Sequence, residues 1–288
     1  MADLKQLLTA WTRNTSGEFI WGRISDTREV QIINSEHEIV SLPLMSALNE
    51  IDSDLRFHSY ELLNRIYNPL VSLPITPITK EARRLNHNVK TIREKFMRML
   101  HEVEENSVAY TIVQEGMKNG VPLSTIRDDL IIASSARSDN AKSAVMSTIW
   151  YLFQAENASW KQQLIQEVEP VFANPSSTSQ DLARCRILDA FLAEVLRLEP
   201  PGSLMNNHVA VSFNLNAGSK TFRILKGTRF VPNIHVLHRK DSLWKKTESS
   251  PAVNAFDPSR FLDHGESYVN SDFYMPFGKG PRRCPGKW

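Results

Sequence analysis

The spacing of apolar residues predicts that most of this chain is helical. Between Asp181 and Leu198, apolar side chains recur at the period of a helix that buries one face. These side chains are Leu182, Ile187, Leu188, Phe191, Leu192, Val195 and Leu196. Pro200 and Pro201 follow directly, and proline ends a helix because it lacks the backbone N–H. The pattern therefore predicts a helix over 181–198.

A longer helix is predicted over 124–154. Ser124 is suited to cap its first turn, and Asp128 and Asp129 lie near the positive end of its dipole. Its later part, from Ser143 to Phe153, is almost wholly apolar and is expected to be core. That stretch is too short to cross a membrane, which takes about 20 apolar residues.

The other segments complete a mainly α fold with small β-sheets. Lys80–Glu105 has the pattern of a charged amphipathic helix, and Asp3–Gly22 is a further helix candidate. Val209–Leu215 and Phe222–Val231 are interpreted as short strands, because apolar residues alternate there between glycine-containing turns.

The most specific chemical pattern lies between Phe277 and Gly286. It fits F-x-x-G-x-R-x-C-x-G at every fixed position. Glycine lets the backbone turn closely around the sulfur of Cys284, and a thiolate beside an arginine suits a haem iron. A surface loop with a stray cysteine is the alternative, which five fixed positions disfavour. The spacing of the glycines and Lys279 excludes a phosphate-binding loop.

Two motifs upstream accompany the cysteine pattern. Glu194 and Arg197 form an E-x-x-R sequence and share a helix face, because they are three residues apart. Residues 256–261 read F-x-P-x-R-F and include Arg260. With these motifs together, the chain resembles the cytochrome P-450 family, the haem-thiolate monooxygenases.

The resemblance implies a haem b whose iron has an axial thiolate from Cys284. The residues that it assigns to the cofactor are Phe277, Gly280, Arg282, Cys284, Gly286 and His208. Arg282 would meet a haem propionate, and so would His208, for which an exposed loop histidine is the alternative. Glu194, Arg197 and Arg260 would form a buried triad behind the cysteine loop. Buried charges are costly unless all are paired, so losing one should destabilise the fold more than it alters the chemistry.

By the same resemblance, 124–154 is the helix on the oxygen-binding side of the haem. Its catalytic candidates are Asp139 and Asn140. The family pattern A-G-x-[DE]-T-[TS] keeps its acid here as Asp139, but Asn140 stands where threonine is usual. An amide forms hydrogen bonds but does not relay a proton as a hydroxyl does. Ser138, Ser143 or a water is the alternative relay.

The net charge, the cysteines and the histidines argue against several classes of function. The 288 residues carry a formal charge of +2, which gives no support for nucleic-acid binding. Cys185 and Cys284 cannot form a disulfide framework, and Cys185 is expected to fill an apolar helix face. His235 and His238 lack a third metal ligand at sensible spacing, so structural or solvated histidines are expected there.

The resemblance covers one partial domain over 1–288. It divides into a helix-rich part (1–198), a small sheet and meander (199–275) and the cysteine loop (276–286). Complete members of the family continue at both ends, so a fragment is expected. The full-length protein is expected at the endoplasmic reticulum membrane, on the cytosolic face, with no anchor in this chain.

Three functions remain open. The first is a monooxygenase acting on a lipophilic substrate with O2 and with electrons from NADPH through a reductase. The second, motivated by Asn140, is a peroxide isomerase or dehydratase that needs no reductase. The third is an inactive truncated copy.

Overall fold

The computed structural model describes residues 3–22, 28–51, 80–203, 207–208, 211–245, 248, 250 and 252–287. The described residues are mainly helical, with small two-stranded antiparallel sheets, which confirms the predicted fold class. The chain divides into two compact units, Met1–Lys142 and Ser143–Trp288. The division falls within the long helix, Leu123–Leu152, which lies where the helix over 124–154 was expected.

The described residues of the first unit form several helices and a β-hairpin. The helices span Leu4–Trp21, 44–51, Lys80–Met99 and Val108–Lys118, with a 3₁₀ turn at Leu100–Glu102. The hairpin pairs Glu29–Ile33 with Ile39–Pro43. It was not predicted; its alternating buried and exposed residues in the first strand are the signal that could have found it.

Trp21 lies at the centre of the first unit and helps to place the long helix. Its side chain is 1% exposed and packs edge-to-face on Phe96, with the ring centroids 5.6 Å apart. Its indole Nε1–H donates to Ser134 Oγ at 3.2 Å. A buried indole needs such a partner, so this bond fixes the long helix one turn before Asp139.

Asn88 joins the hairpin to the helix Lys80–Met99. Its amide is fully buried and forms two hydrogen bonds of 2.8 Å with the backbone N–H and C=O of Ile33. Ile33 is the last residue of its strand, and Asn88 supplies its backbone N–H and C=O with the partners that buried backbone groups require.

The second unit combines short helices with minimal sheets. Its helices span Ala158–Ala173, Ser179–Leu182, Arg186–Leu198, Ile234–Leu237, Asp241–Trp244 and Ser259–Val269. Its strands pair Asn207–His208 with Arg229–Phe230, and Phe213–Ala217 with Lys220–Ile224. The predicted strand over 222–231 is thus two strands, because Leu225 and Gly227 make a turn between them.

The E-x-x-R helix, Arg186–Leu198, begins later than the predicted 181–198. Thr178 and Asp181 form a capping box that begins a separate short helix, Ser179–Leu182, and the backbone then breaks at Cys185, whose ψ is 90°. The new helix is capped from outside, since the Glu167 carboxylate accepts from the N–H groups of Ile187 and Leu188 at 3.0 and 2.9 Å.

Trp244 is the centre of the core in the second unit. It is fully buried and contacts a ring of aromatic side chains and one arginine. These neighbours are His238, Phe261, Tyr268, Phe273, Tyr274 and Arg197. The core therefore brings together the E-x-x-R helix and the segment that leads to the cysteine loop.

Candidate functional site

A buried ionic network lies at the C-terminal end of the E-x-x-R helix. Glu194 and Arg197 are fully buried, and Arg260 is 4% exposed. Arg197 donates to both carboxylate oxygens of Glu194, Nε to Oε2 at 2.6 Å and Nη2 to Oε1 at 2.7 Å. Arg260 Nε lies 3.3 Å from Glu194 Oε1. The structure thus brings together the three residues proposed as a triad.

The guanidinium of Arg197 has a partner for each of its five N–H donors. Two go to Glu194, and the others go to the carbonyls of His238, Val253 and Ala255 at 2.9, 2.8 and 3.3 Å. The carboxylate of Glu194 also accepts from the N–H of Asp257 at 2.9 Å. Such complete pairing is what offsets the desolvation of buried charges.

Arg260 extends the network towards the segment before it. Its Nη2 donates to the carbonyl of Ala252 at 2.6 Å. Carbonyls of Ala252, Val253 and Ala255 therefore all receive side-chain donors. Because this segment has no strand partner among the described residues, the two arginines supply the hydrogen bonds that a sheet would otherwise provide.

The cysteine loop, Phe277–Gly286, turns at glycines in the left-handed region. Gly278 has φ 70° and Gly280 has φ 76°, values that cost other residues about 1–2 kcal/mol. Cys284 N–H donates to the carbonyl of Phe277 at 2.7 Å, and Gly278 N–H donates to that of Met275 at 2.9 Å. The loop is closed by its own backbone.

The sulfur of Cys284 is available for a ligand. The residue is exposed, and so are its neighbours Pro285 and Gly286. A β-carbon at Gly286 would lie 3.6 Å from Sγ, so glycine keeps that side of the sulfur uncovered. An uncovered soft donor on a glycine-turned loop fits a thiolate ligand of haem iron.

Lys279 fastens the cysteine loop to the end of the helix Ser259–Val269. Its ammonium group donates to the carbonyls of Asn270 (3.3 Å) and Ser271 and to Asp272 Oδ1 at 3.1 Å. The sequence pattern suggested a basic patch of Lys279, Arg283 and Lys287 beside the loop, but it did not indicate these contacts of Lys279. The partners of Lys279 lie seven to nine residues earlier in the chain. No short-range sequence pattern predicts contacts at that separation.

Tyr274 is a second residue that the motifs did not reveal. Its hydroxyl donates to the carbonyl of Ala193 at 3.0 Å, and burial raises the pKa of the phenol well above its usual range. It therefore ties the entry of the cysteine loop to the E-x-x-R helix.

Of the other cofactor candidates, Phe277 is half-buried. Arg282 lies in a 3₁₀ turn, Gly280–Arg282, and His208 pairs with Arg229 in a two-residue strand. The side chains of Arg282 and His208 lie outside the described part of the chain, so their propionate contacts stay predictions. Cys185 is buried, as expected for a filler.

Asp139 and Asn140 lie on the long helix, at the end of the first unit. Asp139 is half-buried and accepts a hydrogen bond from Lys142 Nζ at 2.7 Å. Asn140 is exposed. Asp139 thus has a lysine partner three residues along its own helix, a spacing from which this pair could have been predicted. Their catalytic role stays a prediction.

Within the described ranges, no helix has the length and apolarity that crossing a membrane requires. The same residues contain no cluster of three or more histidine, cysteine or acidic side chains arranged for a metal ion.

Comparison with known proteins agrees with the geometry. The sequence model of the family described as Cytochrome P450 matches residues 2–288. A human protein named Cytochrome P450 2U1 is 26% identical over 81% of this chain and 43% of its own length. Steroid 17-alpha-hydroxylase/17,20 lyase of Squalus acanthias is 36% identical over 37% of this chain and 20% of its own. Nicotine N-demethylase CYP82E3 of Nicotiana tomentosiformis is 30% identical over 67% of this chain and 37% of its own. The chain therefore spans less than half the length of these curated relatives.

Proposed function

This chain belongs to the cytochrome P450 family, and on that premise we propose that the protein is a haem-thiolate monooxygenase that inserts one oxygen atom of O2 into a lipophilic organic substrate. The observation that carries the proposal is the exposed sulfur of Cys284 on a loop turned by Gly278 and Gly280. The paired Glu194–Arg197–Arg260 network supports it, because Arg197 holds the backbone of His238, whose ring accepts a hydrogen bond from Met275 N–H just before that loop.

Each residue has a defined task in this proposal. Cys284 supplies the thiolate ligand, and its N–H bond to Phe277 holds the sulfur in place. Arg282 and His208 bind the propionates by charge and hydrogen bonding. A thiolate-held haem b supplies O2 activation, with electrons that a reductase takes from NADPH.

The oxygen-side residues handle protons and orientation. Lys142 holds the carboxylate of Asp139 in one position, and Asn140 offers an amide that both donates and accepts hydrogen bonds. Because an amide does not relay protons as threonine does, a hydroxyl or water must complete the path. The relatives' names refer to a steroid and to nicotine, so the substrate is proposed only as lipophilic.

The test is made on haem-loaded protein. We expect a carbon-monoxide difference spectrum of the thiolate type, and its loss in Cys284→Ser. With a reductase, NADPH and O2, we expect oxygenated product and no product when the reductase is omitted. A histidine-type spectrum, or no stoichiometric haem binding, contradicts the proposal.

Asn140 favours a second candidate, a peroxide isomerase or dehydratase that uses the same haem site without a reductase. Turnover of a lipid hydroperoxide in the absence of NADPH supports this candidate. Strict dependence on reductase and O2 excludes it.

We also propose that the full-length protein is held at the endoplasmic reticulum membrane, on the cytosolic face. The support is the long spacing between Asn140 and Cys284, which resembles microsomal members of the family. Fractionation of cells that express the full-length protein tests this location, and recovery away from membranes contradicts it.

A further inference from the structure

His238 lies at a junction of three parts of the second unit. The side chain is fully buried, although histidine has two polar ring atoms. Nδ1 lies 2.9 Å from the carbonyl oxygen of Arg197, and Nε2 lies 3.0 Å from the backbone nitrogen of Met275. The ring also stacks on Tyr274, with the centroids 5.4 Å apart and the planes 24° from parallel.

The two hydrogen bonds define one tautomer of His238. A backbone N–H only donates, so Nε2 must be the bare acceptor for Met275. A carbonyl only accepts, so Nδ1 must carry the proton and donate to Arg197. Burial lowers the pKa of His238 to about 4, which keeps the ring neutral and this donor–acceptor order intact at neutral pH.

The chain of contacts leads from the ionic network to the cysteine loop. Two hydrogen bonds join Arg197 and His238. The His238 ring donates to the Arg197 carbonyl, and the Arg197 guanidinium donates to the His238 carbonyl at 2.9 Å. Met275 lies two residues before the loop, and its carbonyl accepts from Gly278 N–H at the first glycine turn. Within the described residues, His238 therefore joins the ionic network to the backbone entering the loop.

Packing alone does not explain this residue. A phenylalanine has a similar ring and would stack on Tyr274 equally well, but it would leave the Met275 N–H and the Arg197 carbonyl without these partners. A metal site is also excluded as the explanation, since both ring nitrogens already bind backbone groups and the described residues form no metal-ligand cluster around them.

We propose that His238 is a positioning residue for the cysteine loop, acting through its hydrogen bond from Met275 N–H. It has no contact with the sulfur of Cys284 among the described interactions. It instead sets the path of the backbone that presents Cys284. The consequence for haem ligation rests on the proposed function, whereas the consequence for loop order does not.

Three substitutions separate the two hydrogen bonds. His238→Asn places an amide near the Nδ1 position and loses the acceptor for Met275. His238→Gln places an amide near the Nε2 position and keeps that acceptor. His238→Phe keeps the stacking on Tyr274 and removes both bonds. His235→Gln is the matched control, because His235 is exposed on the same short helix.

The first measurement is amide hydrogen exchange over residues 275–284 in the haem-free 288-residue chain. We expect exchange there to rise about tenfold or more in His238→Asn and His238→Phe, the size that one lost buried hydrogen bond implies. In His238→Gln and His235→Gln it should stay near that of the unchanged chain. Equal exchange in all variants, or a rise spread over the whole second unit in proportion to lost stability, overturns the proposal.

The second measurement is the carbon-monoxide difference spectrum of the haem-loaded protein. In His238→Asn and His238→Phe, part of the thiolate-type band should be replaced by the band of haem without a thiolate ligand. In His238→Gln, the full thiolate-type band should be kept. A full thiolate-type band in His238→Phe overturns the positioning role. If the unchanged protein itself lacks a thiolate-type band, the proposed function fails, and the exchange measurement still decides the role of His238.

Discussion

The buried ionic network and the cysteine loop belong to the same unit, but they differ in the burial of their functional groups. Glu194 and Arg197 are fully buried, and every donor of the arginine is paired. Cys284 and its neighbours are exposed, and the loop is held mainly by backbone bonds and by Lys279. Charges thus lie where they stabilise the scaffold, and the reactive sulfur lies where a ligand can reach it.

This difference predicts that substitutions in the network lower stability, whereas substitutions in the loop alter ligand binding.

Of the changes considered, Glu194→Gln should lower the free energy of unfolding the most. It removes one charge and leaves Arg197 and Arg260 in the interior without their carboxylate, which typically destabilises a protein by about 3–5 kcal/mol. Denaturant-induced unfolding measures the loss. The matched control is Glu199→Gln, since Glu199 is half-exposed and pairs with Arg239 at the surface at 3.2 Å. Its cost should stay below about 1 kcal/mol, and equal costs for the two variants would contradict the role of the network.

The second prediction concerns pH. The pKa of His238 is lowered to about 4 in the folded state, from 6.5, mainly by burial. Between these values the unfolded chain binds the proton more readily, so stability is complete above about pH 6.5 and falls as pH drops towards 4. The full loss should be on the order of 3 kcal/mol. Unfolding curves at several pH values measure it.

His238→Gln provides the control for that pH dependence. It should remove most of the dependence between pH 4 and 6.5, while His235→Gln should keep it. If the stability of His238→Gln still fell between pH 6.5 and 4 as in the unchanged chain, another titrating group would be responsible for the pH dependence.

The third prediction tests the turn of the cysteine loop. Gly280→Ala should destabilise by about 1–2 kcal/mol, because φ is 76° and open space around the residue offers no compensating contact. Gly202→Ala is the control: it also has open space around it, but its φ is not in the left-handed region. If Gly202→Ala stabilises the protein and Gly280→Ala destabilises it, the loss at Gly280 is due to backbone strain and not to packing. Equal changes in the free energy of unfolding would contradict backbone strain at Gly280.

Cys284→Ser should change stability least, by no more than about 0.5 kcal/mol, because the side chain is exposed. It should nevertheless abolish the thiolate-type carbon-monoxide spectrum completely. Thermal unfolding of the haem-free chain and the spectrum of the haem-loaded protein test the two halves. A large loss of stability would mean that the loop, too, is part of the scaffold.

The sequence was sufficient for the parts of the site whose partners are close along the chain or belong to a motif. Glu194 and Arg197 are three residues apart on one helix, and Arg260 was assigned by its own motif, so the network was predictable. The loop was predictable because its glycines, arginine and cysteine keep a fixed spacing.

The contacts that the sequence did not reveal depend on tertiary structure. The bonds from Met275 to His238 and from Tyr274 to Ala193 join residues that are 37 and 81 positions apart, with no short-range pattern. The break before Arg186 was missed because the apolar spacing continues through it, although Thr178 and Asp181 form a capping box that begins a separate short helix, Ser179–Leu182.

The three carbonyls that Arg197 binds have a consequence for sequence tolerance. The guanidinium contacts the backbone oxygens of His238, Val253 and Ala255, which every amino acid possesses. At Ala255, which is exposed, recognition by Arg197 therefore does not depend on the side chain, whereas Val253 is also packed in the core. Substitutions at Ala255 that preserve the path of the main chain should therefore be accepted, whereas a substitution of Arg197 removes the bonds to all three carbonyls at once.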